Sequence, residues 1–146
     1  MHETRIRVRF DEVDTMDVVH HPRYLVYFEV ARTEYFRDLG MAYRDVMAGG
    51  THLAIIEAGA RYMKSAKYDD ELVVETRCIQ VGGASVTLRY AVRRGDETLA
   101  TGFTRLGAVD TEGRAKRLPD DLRAKFVAAV ESDPHGTRAS RVQTGV

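Results

Sequence analysis

The sequence is short of several features, and each shortage excludes a class of protein. It has one cysteine, Cys78, so it cannot form an internal disulfide framework, and a cytoplasmic location is the default expectation. Cys78 lies in an apolar, strand-like stretch, which favours a buried, unreactive thiol over a nucleophile. The 22 basic residues balance the 22 acidic residues, which argues against nucleic acid as the main partner. No apolar run is long enough to span a membrane and the first residues show no signal-peptide pattern, so we expect no membrane partner.

The length of 146 residues and the hydrophobic fraction of 44% are typical of one domain with a modest core. We assign this domain to residues 1–131 and expect the polar, aperiodic residues 132–146 to form a disordered tail. Apolar periodicity predicts strands at residues 5–10, 52–63, 71–81, 85–93 and 98–110, and helices at residues 22–39, 41–48 and 119–130. This order indicates an α+β fold with an antiparallel sheet.

The rest of the chain is organised around the helix predicted at residues 22–39. Leu25, Phe28, Ala31, Tyr35 and Leu39 recur at spacings of three and four residues, which predicts a buried stripe. Further apolar residues make the first half of this helix apolar on almost every side. We therefore expect the sheet to wrap around the helix, and the sheet edges that remain predict a homodimer.

The densest group of chemically active side chains lies in the loop just before this helix, from Asp14 to His21. Pro22 suits the first position of a helix, because its φ angle is fixed and it has no N–H to lose. The loop therefore holds Asp14 near a helix N-terminus, where free N–H groups favour negative charge. A carboxylate in this position can attack a carbonyl or activate a water molecule. On position alone, an ordinary capping or solvated carboxylate is the competing interpretation.

The histidines near this loop raise the question of a metal site. Asp14, His20, His21 and His52 are ligand types that zinc accepts, but their spacing matches no ligand motif. We therefore expect neither a metal nor another cofactor. A Ser-His-Asp triad is not supported either, because the sequence has no nucleophile-elbow pattern.

Four motifs follow one another along the chain. They are Asp14 with Val18-Val19, His21 and Tyr24-Leu25; the helical segment Phe28–Glu34; Tyr62 with Tyr68–Leu72; and Arg117-Leu118-Pro119. Each motif is weak alone. Together, over residues 4–130, they resemble the 4-hydroxybenzoyl-CoA thioesterase family of hot-dog-fold acyl-CoA thioesterases.

The resemblance implies a hot-dog fold, a dimer or a dimer of dimers with active sites at the interface, and metal-free hydrolysis of an acyl-CoA substrate. It implies that Asp14 acts as nucleophile or general base, and that the backbone N–H of His21 polarises the thioester carbonyl while its ring lines the pocket. Tyr24, in the same motif, is a candidate substrate-binding residue. Lys64 and Lys67, in a polar connection, are candidate contacts for the diphosphate, with a solvated loop as the competing interpretation.

Three residues near Asp14 depart from the family pattern. Asp17 stands where family members often have a glycine, which suggests a positive φ angle that aspartate tolerates better than most residues. Phe10 replaces a tyrosine and Val13 replaces a threonine. We therefore expect poorer hydrogen bonding around Asp14 than is usual in the family.

Two alternatives to hydrolysis share this fold. One is an acyl-CoA-binding protein that has lost catalysis, which the departures near Asp14 keep open. The other is a hot-dog hydratase or dehydratase, which would need a histidine in a different loop motif that this sequence lacks. The sequence does not identify the acyl group, and it does not separate coenzyme A from acyl carrier protein as the thiol carrier.

Overall fold

The computed structural model describes residues 1–136, which form one antiparallel sheet and three helices. The strands are β1 (His2–Arg7), β2 (His52–Tyr62), β3 (Glu71–Val81), β4 (Ser85–Arg94) and β5 (Glu97–Val109). The helices are α1 (Arg23–Asp38), α2 (Tyr43–Ala48) and α3 (Asp120–Ala129). The sheet order is β1-β3-β4-β5-β2, so β1 and β2 are its edges. None of the helices within these residues is long and apolar enough to cross a membrane.

Helix α1 lies against the sheet through a stripe of mostly aromatic side chains. Its buried residues are Tyr24, Tyr27, Phe28, Ala31, Tyr35 and Phe36, the spacing of one helix face. Phe28 stacks on Tyr90 of β4 with the ring centroids 4.4 Å apart. A Cβ atom at Gly102 of β5 would collide with the Phe28 ring, so this glycine lets α1 approach the sheet closely. The predicted arrangement of one long helix against an antiparallel sheet is confirmed.

Two details of the predicted pattern are wrong. The first strand ends at Arg7 rather than at residue 10, because the chain leaves the sheet and makes a 3₁₀ turn over Phe10–Glu12. Phe10, the last residue of the predicted strand, therefore lies outside the sheet and is 77% exposed. Leu25 is 40% exposed, because the buried stripe of α1 is rotated so that Tyr24 faces the sheet in its place.

Strand β2 is an edge with exposed apolar side chains beside it. It pairs with β5 on one side only. Ile55 and Ile56 of β2 are half-exposed, and Val26 and Val30 of α1 are exposed as well. An unpaired edge with apolar neighbours is a surface that proteins normally cover or protect. The predicted dimer stays a prediction, and this edge is a surface available for it.

After α3 the chain returns to the sheet. The N–H of Glu131 donates to the carbonyl of Cys78 at 2.9 Å, and Asp133 forms an ion pair with Arg89 of β4. Residues 132–136 contain no helix or strand. The remainder of the predicted tail, residues 137–146, lies outside the described residues.

Cys78 lies on β3 and is completely buried, as predicted. Burial raises the pKa of its thiol to about 12. The thiol therefore keeps its proton at neutral pH, and the thiolate form needed for nucleophilic attack is scarce.

Candidate active site

The loop that carries Asp14 is closed by backbone hydrogen bonds between its two arms. Val13 and Val19 form a β-bridge, and the N–H of Asp14 donates to the carbonyl of Val18 at 2.9 Å. The sharp turn in between requires a positive φ angle at Asp17, which is 58°. The sequence-based expectation for this non-glycine position is therefore confirmed.

The Asp14 carboxylate is exposed and is held by one of its two oxygens. Its Oδ1 accepts hydrogen bonds from the N–H groups of Met16, at 2.8 Å, and Val18, at 3.3 Å. Within residues 1–136, its Oδ2 accepts no hydrogen bond, and no side chain donates to either oxygen. The loop thus orients the carboxylate and leaves one oxygen available to a substrate or a water molecule.

Asp14 lies in a broad surface cavity of about 750 Å³. The lining residues are Phe10, Val13, Asp14, Thr15, Asp17 and Tyr68. Phe10 and Tyr68 meet edge to face with ring centroids 5.6 Å apart, and the Asp17 carboxylate accepts a hydrogen bond from the N–H of Tyr68 at 3.1 Å. Sequence reasoning did not single out Tyr68 as a site residue, because it lies 54 residues from Asp14. Phe10, Val13 and Tyr68 make much of the cavity wall apolar, so the cavity combines carboxylates with surface that suits an apolar group.

His21 is at the mouth of α1, where the chain enters the helix. Pro22 has helical angles, with φ −64° and ψ −20°, and α1 begins at Arg23, within one residue of the predicted start. The carbonyl of His21 accepts hydrogen bonds from the N–H of Tyr24 and the hydroxyl of Tyr62, each at 3.2 Å. The N–H of His21 has no hydrogen-bond partner in the described part of the chain. His21 precedes the N-cap residue, Pro22, so this free donor lies just outside the N-terminus of α1.

The His21 ring lies beside a second, smaller cavity. Its ring centroid is 5.0 Å from that of His20 and 6.1 Å from that of Tyr62. The cavity holds about 240 Å³ and is lined by Val19, His21, Tyr24, Tyr62, Met63, Lys64 and Ser65. In the single chain, therefore, Asp14 and His21 border different cavities at the two ends of one loop.

The predicted substrate-binding residues differ in their exposure and in whether their polar groups already have a partner. Tyr24 is only 3% exposed, and its hydroxyl accepts a hydrogen bond from the N–H of Ala66 at 3.2 Å, so its ring forms part of the cavity wall. Burial is also the main reason that the pKa of Tyr24 is raised. The Lys64 ammonium pairs with Glu97. The Lys67 side chain is exposed and forms no ion pair within residues 1–136.

The connection that carries both lysines is fastened by Asp70. Its carboxylate accepts hydrogen bonds at 2.8 Å from the N–H of Lys67 and from the guanidinium of Arg94. Burial acts to raise the pKa of Asp70, but these two hydrogen bonds and the nearby positive charges outweigh it and lower the pKa. Arg94 also pairs with Glu97, and Glu97 pairs with Lys64. Asp70, Arg94, Glu97 and Lys64 therefore form one connected network of charges.

A buried carboxylate near the loop was missed by the sequence analysis. Glu12 is 4% exposed, and its Oε1 accepts hydrogen bonds from the N–H of Arg9, at 2.8 Å, and the hydroxyl of Tyr27, at 3.1 Å. A charged residue in a polar segment is normally solvated. Only the packing of α1 brings Tyr27 close enough to bury it, so the local sequence carried no signal.

The histidines do not form a metal site in the described residues. His52 begins β2, whereas Tyr62, which contacts His21, ends it. At the usual rise per residue, these strand ends are about 30 Å apart. Residues 1–136 contain no group of three His, Cys, Asp or Glu side chains arranged to hold a metal ion.

Comparison with known proteins gives the predicted fold and the thioesterase superfamily. The profile of the Thioesterase superfamily matches residues 16–101, more than half of the chain, beginning two residues after Asp14. The acyl-CoA thioesterase YbgC of Haemophilus influenzae is 32% identical over 124 residues, which cover 83% of this chain and 90% of that protein.

Two solved structures share the architecture. A hypothetical protein, TT1821, from Thermus thermophilus superposes with a TM-score of 0.84 and 35% identity, covering 87% of this chain and 98% of its own. The DHNA-CoA thioesterase of Staphylococcus aureus superposes with a TM-score of 0.80 and 27% identity, covering 97% and 90%. The predicted hot-dog fold and thioester-hydrolase class are thereby confirmed, and the chain belongs to the thioesterase superfamily.

Proposed function

We propose that this protein is an acyl-CoA thioesterase of the 4-hydroxybenzoyl-CoA thioesterase type, with Asp14 as its catalytic carboxylate. The observation that carries the proposal is the state of Asp14: an exposed carboxylate with one oxygen fixed by two N–H groups and the other available. The acyl-CoA thioesterase activity named for the Haemophilus influenzae relative supports the substrate class.

The second chemical element is the N–H of His21. A thioester carbonyl placed against this free donor would develop negative charge next to the N-terminus of α1, where the helix dipole favours it. Donors directed at a developing oxyanion are usually a large part of catalysis of acyl transfer. The protein's own backbone thus offers the polarisation that a metal would otherwise supply.

Asp14 has two possible roles in the same reaction. As a nucleophile, its carboxylate attacks the thioester carbon and expels the CoA thiolate, and water then hydrolyses the mixed anhydride and restores the carboxylate. As a general base, it takes a proton from the water molecule that attacks the thioester carbon. Both routes give the free acid and CoA, and both require the charged carboxylate.

We further propose that the working unit is a homodimer, or a dimer of dimers, assembled through β2. The exposed edge and the apolar side chains near it support this surface. Asp14 and His21 border separate cavities in one chain, and a partner lying across them would enclose both. Water exclusion by such a partner would strengthen the electrostatic contacts in the site.

For the CoA part of the substrate, Lys67 is the readier phosphate contact, because its ammonium is exposed and has no ion-pair partner among residues 1–136. Lys64 would have to exchange its contact with Glu97 for a phosphate. Tyr24 contributes the wall of the smaller cavity rather than a free hydroxyl.

The competing function is binding of acyl-CoA without hydrolysis. It is favoured by the absence, within residues 1–136, of any side-chain hydrogen bond to Asp14, where Phe10 and Val13 replace two polar residues of the family pattern. A panel of acyl-CoA thioesters, assayed for free thiol with and without a chelator, separates the two functions. We expect turnover that the chelator does not reduce. Saturable binding of acyl-CoA without thiol release would favour a binding protein. Repeating the assay with the same acyl groups on acyl carrier protein, and comparing the rates, identifies the preferred thiol carrier.

A further inference from the structure

Glu12 connects three parts of the candidate site. Its carboxylate accepts hydrogen bonds from the Arg9 N–H at the start of the 3₁₀ turn and from the Tyr27 hydroxyl in the second turn of α1. Its backbone carbonyl accepts a hydrogen bond at 2.9 Å from the N–H of His20, the residue before the free donor of His21. One residue thus contacts the start of the 3₁₀ turn, the second arm of the Asp14 loop and helix α1.

Tyr27 is a fixed partner for this carboxylate. Its side chain is 1% exposed, and its ring lies edge to face against Tyr24, with centroids 5.7 Å apart. Burial, and next the negative charge of Glu12, raise the pKa of Tyr27, so its hydroxyl keeps its proton at every working pH. A protonated hydroxyl donates to Glu12, and the donor is held in place by the packing of α1 against the sheet.

We infer that Glu12 is a positioning residue, which through its hydrogen bond to Tyr27 fixes the distance between the Asp14 carboxylate and the His21 N–H. The inference rests on the proposed function, because it concerns the geometry of the same two groups. The loop contains Asp14 two residues after Glu12 and is tied to α1 by the Glu12–Tyr27 contact. Without this contact, the arms remain joined to each other, but the loop is less firmly tied to the helix.

The first test is Tyr27→Phe, with Tyr35→Phe as its matched control. Both tyrosines are buried on the same face of α1, and within residues 1–136 each hydroxyl makes one hydrogen bond, that of Tyr35 being with the N–H of Cys78 on β3. Loss of kcat on the order of tenfold to a hundredfold is expected for Tyr27→Phe, the scale of a small misplacement of reacting groups. KM should stay nearly constant. Tyr35→Phe, with a similar loss of stability, should keep wild-type kcat.

The second test separates position from charge at Glu12 itself. Glu12→Gln keeps an acceptor oxygen at the same reach but loses the charge, and Glu12→Asp keeps the charge but shortens the side chain by one methylene. A positioning role predicts that the Gln variant retains most of kcat and that the Asp variant loses it. The reverse order would overturn the inference, because Glu12 would then act through its charge.

A third readout does not need turnover. Amide hydrogen exchange at Asp14 and His20, whose N–H groups close the loop, should be faster in Tyr27→Phe than in wild type and unchanged in Tyr35→Phe. Unchanged exchange together with full kcat in Tyr27→Phe would overturn the inference while leaving the proposed function intact. No thioester hydrolysis by the wild type in the same assay would overturn the proposed function, and the inference with it.

Discussion

Arg89 and Asp133 form a two-armed ion pair that fastens the segment after α3 to the sheet. The Nε of Arg89 donates to Oδ1 of Asp133 at 3.1 Å, and its Nη2 donates to Oδ2 at 2.9 Å. Arg89 is 2% exposed and lies between Leu88 and Tyr90, whose side chains face the core, so it points to the opposite side of the sheet. A buried guanidinium needs such a partner, because an uncompensated buried charge is strongly destabilising.

This pair predicts that Asp133 matters for stability, although it lies in the segment predicted to be a disordered tail. Asp133→Ala should lower the free energy of unfolding by about 3 kcal/mol, the scale of breaking a buried ion pair from one side. Glu112→Ala is the control, since Glu112 pairs with Arg114 on the surface and should matter by less than about 1 kcal/mol. Urea denaturation measures both. Equal, small losses would show that Asp133 does not anchor this segment.

The Asp70 network predicts a loss of stability in acid. Folding lowers the pKa of Asp70, so its contribution is complete above the value of about 3.8 in the unfolded chain and is lost as the pH falls through the lower folded value. Asp70→Ala should therefore lower Tm more at about pH 7 than at about pH 2. Asp96→Ala, at an exposed turn, should change Tm little at either pH. A difference in Tm between wild type and Asp70→Ala that is larger in acid than at neutral pH would contradict the lowered pKa of Asp70.

The exposed edge at β2 predicts a dimer in solution. Sedimentation at micromolar concentration should give at least twice the monomer mass. Ile55→Lys should shift the equilibrium toward the monomer, because a charged side chain on an edge strand opposes edge-to-edge pairing. Val127→Lys is the matched control, since Val127 on α3 is equally exposed but lies on another element. A folded wild-type monomer, or equal effects of both changes, would reject this interface.

Sequence reasoning succeeded where short-range physics decides the structure. Pro22 and Gly40 placed the ends of α1 to within about one residue, because a fixed φ angle and a C-terminal glycine act locally. The positive φ at Asp17 was expected from the glycine that it replaces. The loop and the start of α1 were therefore located from the sequence, while the role of Asp14 stays a prediction.

Prediction from the sequence failed where the position or burial of a residue depends on an element distant in the chain. Apolar spacing predicted that α1 has a buried stripe, but not its rotation, so Leu25 was placed in the core in place of Tyr24. The burial of Glu12 depends on Tyr27, 15 residues away, and that of Arg89 on Asp133, 44 residues away. The residues next to Glu12 and Arg89 in the sequence do not indicate these partners, because only tertiary packing brings each pair together.

In the proposed function, the charge of Asp14 drives thioester hydrolysis. Asp14→Asn keeps the size of the side chain and an oxygen for the N–H groups of Met16 and Val18, but a neutral amide can neither attack the thioester nor take a proton from water. Asp17→Asn is the matched control, because asparagine also tolerates a positive φ angle and can accept the hydrogen bond from Tyr68.

The most direct measurement is kcat for one good acyl-CoA substrate with wild type and both variants, together with binding of the same substrate. We predict that Asp14→Asn lowers kcat on the order of a hundredfold or more while binding is retained, and that Asp17→Asn changes kcat much less. Hydrolysis by Asp14→Asn at the wild-type rate, or an inactive Asp17→Asn beside an active Asp14→Asn, would contradict the assignment of Asp14 as the catalytic carboxylate.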